Sequence, residues 1–265
     1  MDKSVLIAIA LFLATQVIAS EEHSPPSDSS VCEKFGPQTP RDIDNKPGEN
    51  SVVFDMAPPA SEMSLCNIHF HESAEHKAKD FAIYAGDGHD GYGSGYQCSM
   101  SKNLSKAELV PTKEKICEGE HGDLQPGDTI EVHWVYSTCD VVSGPTLGAC
   151  LSEACANPQL RVETQVFTLV NDPDTLDFAD LQLAKDLPKN TGKPVQFIGS
   201  TTGPKFSAQA CSPFQVTWSV RPKCAKLDIN SVGAWCKNNV FKEDHAHGVR
   251  KLVTDPRLLS EIETM

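Results

Sequence analysis

The sequence has few aromatic residues, 7% of the chain, and no surplus of basic charge. Its 23 Lys and Arg stand against 36 Asp and Glu, a net charge of −13. That balance lacks the electrostatic footprint of binding to nucleic acid or an anionic membrane surface. Long apolar runs are missing outside residues 4–19, which excludes a polytopic membrane protein. No CxxC pair occurs, which argues against a zinc ribbon or a thioredoxin-like site. The glycine-rich stretch 85–95 lacks the closing Lys-Ser or Lys-Thr of a phosphate-binding loop, and no helical pattern follows it. Internal repeats are missing too, and helical periodicity is scarce.

What remains is 265 residues, enough to bury a sizeable core in one large domain or two small ones. Lys3, the apolar run that follows it and the small residues Ala19 and Ser20 read as a cleaved signal peptide over residues 1–20. This predicts entry to the secretory pathway and an extracellular or cell-surface destination, with no stable membrane anchor after cleavage. The polar C-terminus carries no lipid-anchor signal. Ten cysteines, none in the signal, predict up to five disulfides whose pairing the sequence does not reveal. Asn103-Leu104-Ser105 is a glycosylation signal in a eukaryotic host.

Residues 21–50 are rich in Ser, Pro, Asp, Glu and Asn and read as a loose leader tied down through Cys32, with order starting near Val52. Strands are predicted at 66–71, 129–136, 162–170, 195–198 and 215–220, separated by Gly, Pro, Asn and Asp turns. This describes a mainly β domain over residues 51–245. Residues 246–265 form a tail whose short helix is capped by Asp255, begun by Pro256 and faced with Leu258, Leu259 and Ile262.

The informative segment is Cys66-Asn67-Ile68-His69-Phe70-His71-Glu72-Ser73-Ala74-Glu75-His76-Lys77. Alternate strand residues share a face, so His69 and His71 project together while Ile68 and Phe70 point away. A second strand, Ile130-Glu131-Val132-His133-Trp134-Val135-Tyr136, puts Glu131, His133 and Val135 on one face. If the two strands pair, three imidazoles converge, and three neutral histidines with one open position describe a catalytic zinc site. Asn67 and Glu131 each stand two residues before a candidate ligand, where they can orient it. The alternative for the first segment alone is chance or surface histidines, and for His133 alone a structural strand histidine.

These segments resemble carbonic anhydrases. His69-Phe70-His71, Glu75-His76 and Glu131-x-His133-x-Val135 are similar to the metal-binding strands of the α class. Gly199-Ser200-Thr201-Thr202-Gly203-Pro204 resembles its threonine loop, and Val216-Thr217-Trp218 the strand that follows. The longer run from Cys66 to Lys77 looks more like the δ class. So do the high cysteine count and the roughly 60 residues between His71 and His133. The resemblance implies a mainly β (α+β) single domain, with few short helices around a twisted, largely antiparallel central sheet. It implies Zn2+ on His69, His71 and His133, and reversible hydration of CO2 to bicarbonate and a proton by zinc-bound hydroxide. Thr201 or Thr202 would relay a hydrogen bond to Glu75, and Val135, Val216 and Trp218 would line the substrate slot. His76, His89 and His121 are candidates for moving the proton, while His245-Ala246-His247 reads as surface. The resemblance names no macromolecular partner, only CO2 and bicarbonate.

Two other readings compete. Cupin metalloenzymes use His-x-His, a Glu a few residues later and a distant His, which would make Glu75 a ligand and favour iron or manganese. A secreted, non-catalytic module of the same fold is the other. Metal identity and the placement of Glu75 separate the first from a carbonic anhydrase. The effect of removing His133 separates the second.

Overall fold

A computed structural model describes residues 31–263, apart from 33 and 204. The expected signal peptide lies outside these residues. Ten strands form: β1 (Ser64–Glu72), β2 (Ile83–Tyr84), β3 (Tyr96–Gln97), β4 (Ile116–Gly119), β5 (Gly122–Leu124), β6 (Thr129–Ser137), β7 (Leu160–Val170), β8 (Val195–Ser200), β9 (Gln215–Val220) and β10 (Ala225–Asp228). The single described α-helix is α1 (Ile229–Lys237), and short 3-10 turns complete the helical content. The central sheet runs β1-β6-β7-β9-β8, with β10 also on β7. Its β1–β6, β6–β7 and β8–β9 pairs are antiparallel, while β7–β9 and β7–β10 are parallel. The expected mainly β single domain is therefore present, around a mixed sheet in which antiparallel pairs are the majority.

Alternation along the strands divides the core. Ile68, Phe70, Ile130, Val132, Trp134 and Tyr136 face a layer containing Phe178, Leu181 and the inner side of α1. Val135, Val162, Val166, Phe197, Val216 and Trp218 face the other layer, with Ala74, Ala78 and Phe81. Trp134 is fully buried and donates its indole N–H to Leu181 O at 2.7 Å. Trp134→Ala opens a cavity and leaves that carbonyl unpaired, for an expected loss of about 3–5 kcal/mol. Chemical denaturation of the two proteins measures it; an unchanged midpoint would contradict the assignment.

The helix α1 escaped the sequence reading because it is short and holds Gly233. A side chain there would press on Ile116, since a Cβ would stand 2.7 Å from its Cδ1. Asp228 caps the helix by accepting from Asn230 N, and Cys236 ties it to Cys117 on β4.

Both chain ends correct the sequence reading. The expected leader is built into the domain from about residue 36, because Gln38, Thr39, Arg41 and Ile43 are buried. The segment is irregular but not slack, and Arg41 fastens it. Its guanidinium donates to Asn45 O at 2.6 Å and to Ser260 O, and it lies over the Phe197 ring. Burial lowers its pKa to about 10, against the opposing pull of Asp42. The C-terminal helix shrinks to the 3-10 turn Pro256–Leu258, capped by Asp255. Leu258, Leu259 and Ile262 are buried, so the tail packs as part of the domain.

All ten cysteines pair: Cys32–Cys211, Cys66–Cys150, Cys98–Cys224, Cys117–Cys236 and Cys139–Cys155. Five disulfides fit an oxidising, extracellular environment. Among the described residues no helix is long and apolar enough to cross a membrane.

Candidate metal centre

The antiparallel register of β1 and β6 sets His69 opposite His133 and His71 opposite Glu131. His69, His71 and His133 therefore meet on one face. Each offers a ring nitrogen, and these three atoms lie within 4.8 Å of one another. Their ring centroids are 4.8 to 5.4 Å apart.

The opposite nitrogen of each ring is held by an acceptor. Asn67 Oδ1 lies 2.7 Å from His69 Nδ1, and the Asn67 amide is oriented by its own donation to Gly144 O. Gly248 O lies 3.0 Å from His71 Nδ1, and Glu131 Oε1 lies 2.7 Å from His133 Nε2. These acceptors draw the imidazole protons outward. The inward atoms, His69 Nε2, His71 Nε2 and His133 Nδ1, are then bare lone pairs. His71 Nε2 is buried with no partner in the described structure, and His133 Nδ1 faces His69 Nε2 at 3.2 Å. Burial, with the neighbouring imidazoles, lowers the His69 pKa well below its ordinary value; burial also lowers His71. Three neutral nitrogens aimed at one small volume repel one another unless a cation sits among them. The donor set is the one catalytic zinc sites use.

Glu131 anchors more than His133. Its Oε1 also lies 2.7 Å from His76 Nδ1, and its Oε2 accepts from His76 N at 3.0 Å. Burial works to raise its carboxyl, but His76 and His133 outweigh burial and hold it well below the usual carboxylate range. His76 is fully buried and far from a solvent-facing role. The Trp218 ring packs on both His76 and His133, at 4.7 and 5.0 Å, and its N–H donates to Ser200 O at 3.1 Å.

The three histidines open on a cavity of about 420 Å³, lined on one side by Val135, Val216, Trp218, Thr201 and Thr202. Glu75 lies behind His71, 1% exposed, where its Oε1 accepts Arg250 N at 3.0 Å. Its Oε2 has no partner in the described structure. The hydrogen bond from a threonine to Glu75 is not formed. Thr201 Oγ1 lies instead 2.7 Å from Ser212 Oγ, and Thr202 is half-buried at the cavity wall.

Two parts of the site were not legible. His247 lines the cavity, with its ring 5.9 Å from those of His69 and His71. Its backbone bonds Phe70 O and Glu72 N, and Glu243 holds its ring. Its side chain is still 41% exposed, so it is a surface residue that also faces the cavity, and its segment touches β1 through a single bridge. His89 and His121 do not line the cavity: His89 is exposed and His121 stacks on Tyr92 at 3.7 Å. The glycine-rich stretch supplies Asp90 and Tyr92 to the wall, and Gly91 O accepts Val249 N.

The family model described as delta carbonic anhydrase matches residues 60–231. No curated protein matches the sequence. Among solved structures, a hyperthermostable carbonic anhydrase identified from an active hydrothermal vent chimney is 15% identical, with a TM-score of 0.31 and coverage of 83% of this chain and 86% of that one. The alpha-carbonic anhydrase of Photobacterium profundum is 14% identical, with a TM-score of 0.28 and coverage of 83% and 88%. Scores this low carry no weight for the site.

Proposed function

This chain belongs to the delta carbonic anhydrase family, and we propose that it catalyses the reversible hydration of CO2 to bicarbonate and a proton, using zinc held by His69, His71 and His133. The observation that carries the reading is the set of three inward ring nitrogens, each ring fixed from behind by an acceptor. When bound, zinc supplies a hydroxide nucleophile near neutral pH by lowering the pKa of its water to about 7, a value taken from this enzyme class.

The protein's own residues do the rest. Val135 and Val216 give CO2, which is small and apolar, a wall against which shedding its weak hydration costs little. Trp218 keeps the His133 ring in place. Thr201, with its buried hydroxyl, is the better gate than half-buried Thr202. Glu75 is accept-only when ionised, and its unpartnered Oε2 is the acceptor for the Thr201 proton during turnover.

Glu75 does not suit the cupin reading. Its Oε1 lies 3.6 Å from the outward nitrogen of His71, and it is not part of the His69, His71 and His133 group. Residues 1–20 are read as the export signal, and the disulfides agree with a secreted or cell-surface protein. Exposed Asn103 is available for glycosylation.

Stopped-flow CO2 hydration on the purified protein tests the assignment. Activity is expected to vanish on chelation and return with zinc, alongside about one zinc per chain. A folded, zinc-loaded protein with no turnover would overturn it.

A further inference from the structure

The Thr201 hydroxyl has a neighbour that the family motif does not supply. Ser212 Oγ lies 2.7 Å from it, across the loop that joins β8 to β9. The backbone binds the same two places together: Thr201 N donates to Phe214 O at 2.9 Å, and Phe214 N donates to Ser212 Oγ at 3.3 Å.

Ser212 is itself gripped. Its N–H donates to Gln38 Oε1 at 2.9 Å, and its carbonyl accepts from Gln38 Nε2 at 3.0 Å. One amide side chain thus satisfies both backbone groups of one residue, as a neighbouring strand would. Gln38 also takes the Ser200 hydroxyl at 3.3 Å, so it touches Ser212 and the residue that precedes Thr201. Its remaining amide proton goes to Gly36 O. Gln38 is 1% exposed, and Ser212 and Ser200 are fully buried. The Cys32–Cys211 bond fastens the chain beside Ser212.

Proton counting gives this contact a direction. A hydroxyl has one proton and two lone pairs. Ser212 Oγ accepts the Phe214 N–H, and its only other described neighbour is Thr201 Oγ1. Were Thr201 the donor, the proton of fully buried Ser212 would have no acceptor, at a cost of about 1–3 kcal/mol, whereas Thr201 stands at the cavity wall and can turn its own proton elsewhere. Ser212 therefore donates. One lone pair of Thr201 is filled, leaving that residue one proton and one lone pair to present. Those are the two elements a gate between the reacting oxygen and Glu75 requires.

We propose that Ser212, clamped by Gln38, is a positioning residue for CO2 hydration: by donating to Thr201 Oγ1 it fixes where the Thr201 proton and free lone pair point. The inference rests on the carbonic anhydrase reading of the site. Ser212 touches no substrate and acts only through Thr201, which distinguishes it from a residue that merely stabilises the loop.

A double-mutant cycle on the zinc-loaded full chain tests this, with wild type, Ser212→Ala, Thr201→Ala and the double variant compared by stopped flow. Ser212→Ala is expected to lower kcat/KM about tenfold, the worth of one neutral hydrogen bond. In the Thr201→Ala background the same change is expected to alter kcat/KM by less than about twofold, because its only route is gone. Zinc content should stay near one per chain throughout. Ser212→Thr, which keeps the hydroxyl, should restore most of the loss. Gln38→Met in the same two backgrounds puts the question without touching Ser212, and decides it if Ser212→Ala does not fold. Losses of equal size with and without Thr201, or no loss at all, would overturn the inference while leaving the enzyme reading intact. A wild-type protein that holds zinc yet turns over no CO2 would overturn both.

Discussion

Replacing His133 with Ala is expected to abolish zinc binding and bring CO2 hydration down to the uncatalysed rate. His133 supplies one of the three inward nitrogens, and only His69 and His71 would remain. Two imidazoles are fewer than the three protein ligands of a catalytic zinc site. The change also strips Glu131 of one of its donors, in a place where the carboxylate is fully buried. Metal analysis after gel filtration, with stopped flow on the same sample, reads both effects. Circular dichroism shows whether the sheet persists. His89→Ala, at an exposed site outside the cavity, should keep full zinc and turnover. A His133→Ala protein with one equivalent of zinc and normal activity would remove the basis for the proposed centre.

Glu131→Gln is expected to weaken zinc binding by about 10–100-fold. The carboxylate accepts from three N–H groups, those of His133 Nε2, His76 Nδ1 and the His76 backbone. A glutamine amide must turn an NH2 toward at least one of them. Facing His133, it favours the tautomer with the proton on Nδ1, the atom needed for the metal. Facing His76, it sets donor against donor in a buried site, which costs about 1–3 kcal/mol. Competition against a calibrated chelator measures the affinity, and thermal melting of the zinc-free protein measures the second cost. Unchanged values in both would show that Glu131 orients nothing.

The parts of the site that were readable in the sequence are those that a regular strand dictates. His69, His71 and His133 could be placed on one face because β1 and β6 pair without interruption from Asn67 to Glu72, and Asn67 and Glu131 followed at the same spacing. The boundaries of β9 were readable for the same reason, since Gln215–Val220 is closed at both ends by turn residues. Periodicity says nothing where the chain is irregular. Gln38 and Ser212 are 174 residues apart and meet through side chain and backbone, with no repeat to announce them. His247 reaches the cavity from a segment that bonds β1 at one point. Strand β10 is four residues of mixed polarity whose pairing with β7 is visible only once both are folded. Polar composition does not reveal that Gln38, Thr39, Arg41 and Ile43 are buried. Arg41 shows how such a segment is held: many donors from one buried guanidinium meet carbonyls that turns leave open.

The cross-link pattern also imposes an order on how the chain can mature. Cys32, Cys98 and Cys117 all bond to partners at or beyond residue 211. As synthesis proceeds from the N-terminus, those three thiols emerge long before anything they are meant to join. Only Cys66–Cys150 and Cys139–Cys155 can close before residue 211 is made. The loop bearing Thr201 therefore gains its covalent tether only after most of the sequence has been made. A ribosome that stops near residue 200 releases a product with three orphan thiols, free to couple with one another or with a neighbouring molecule.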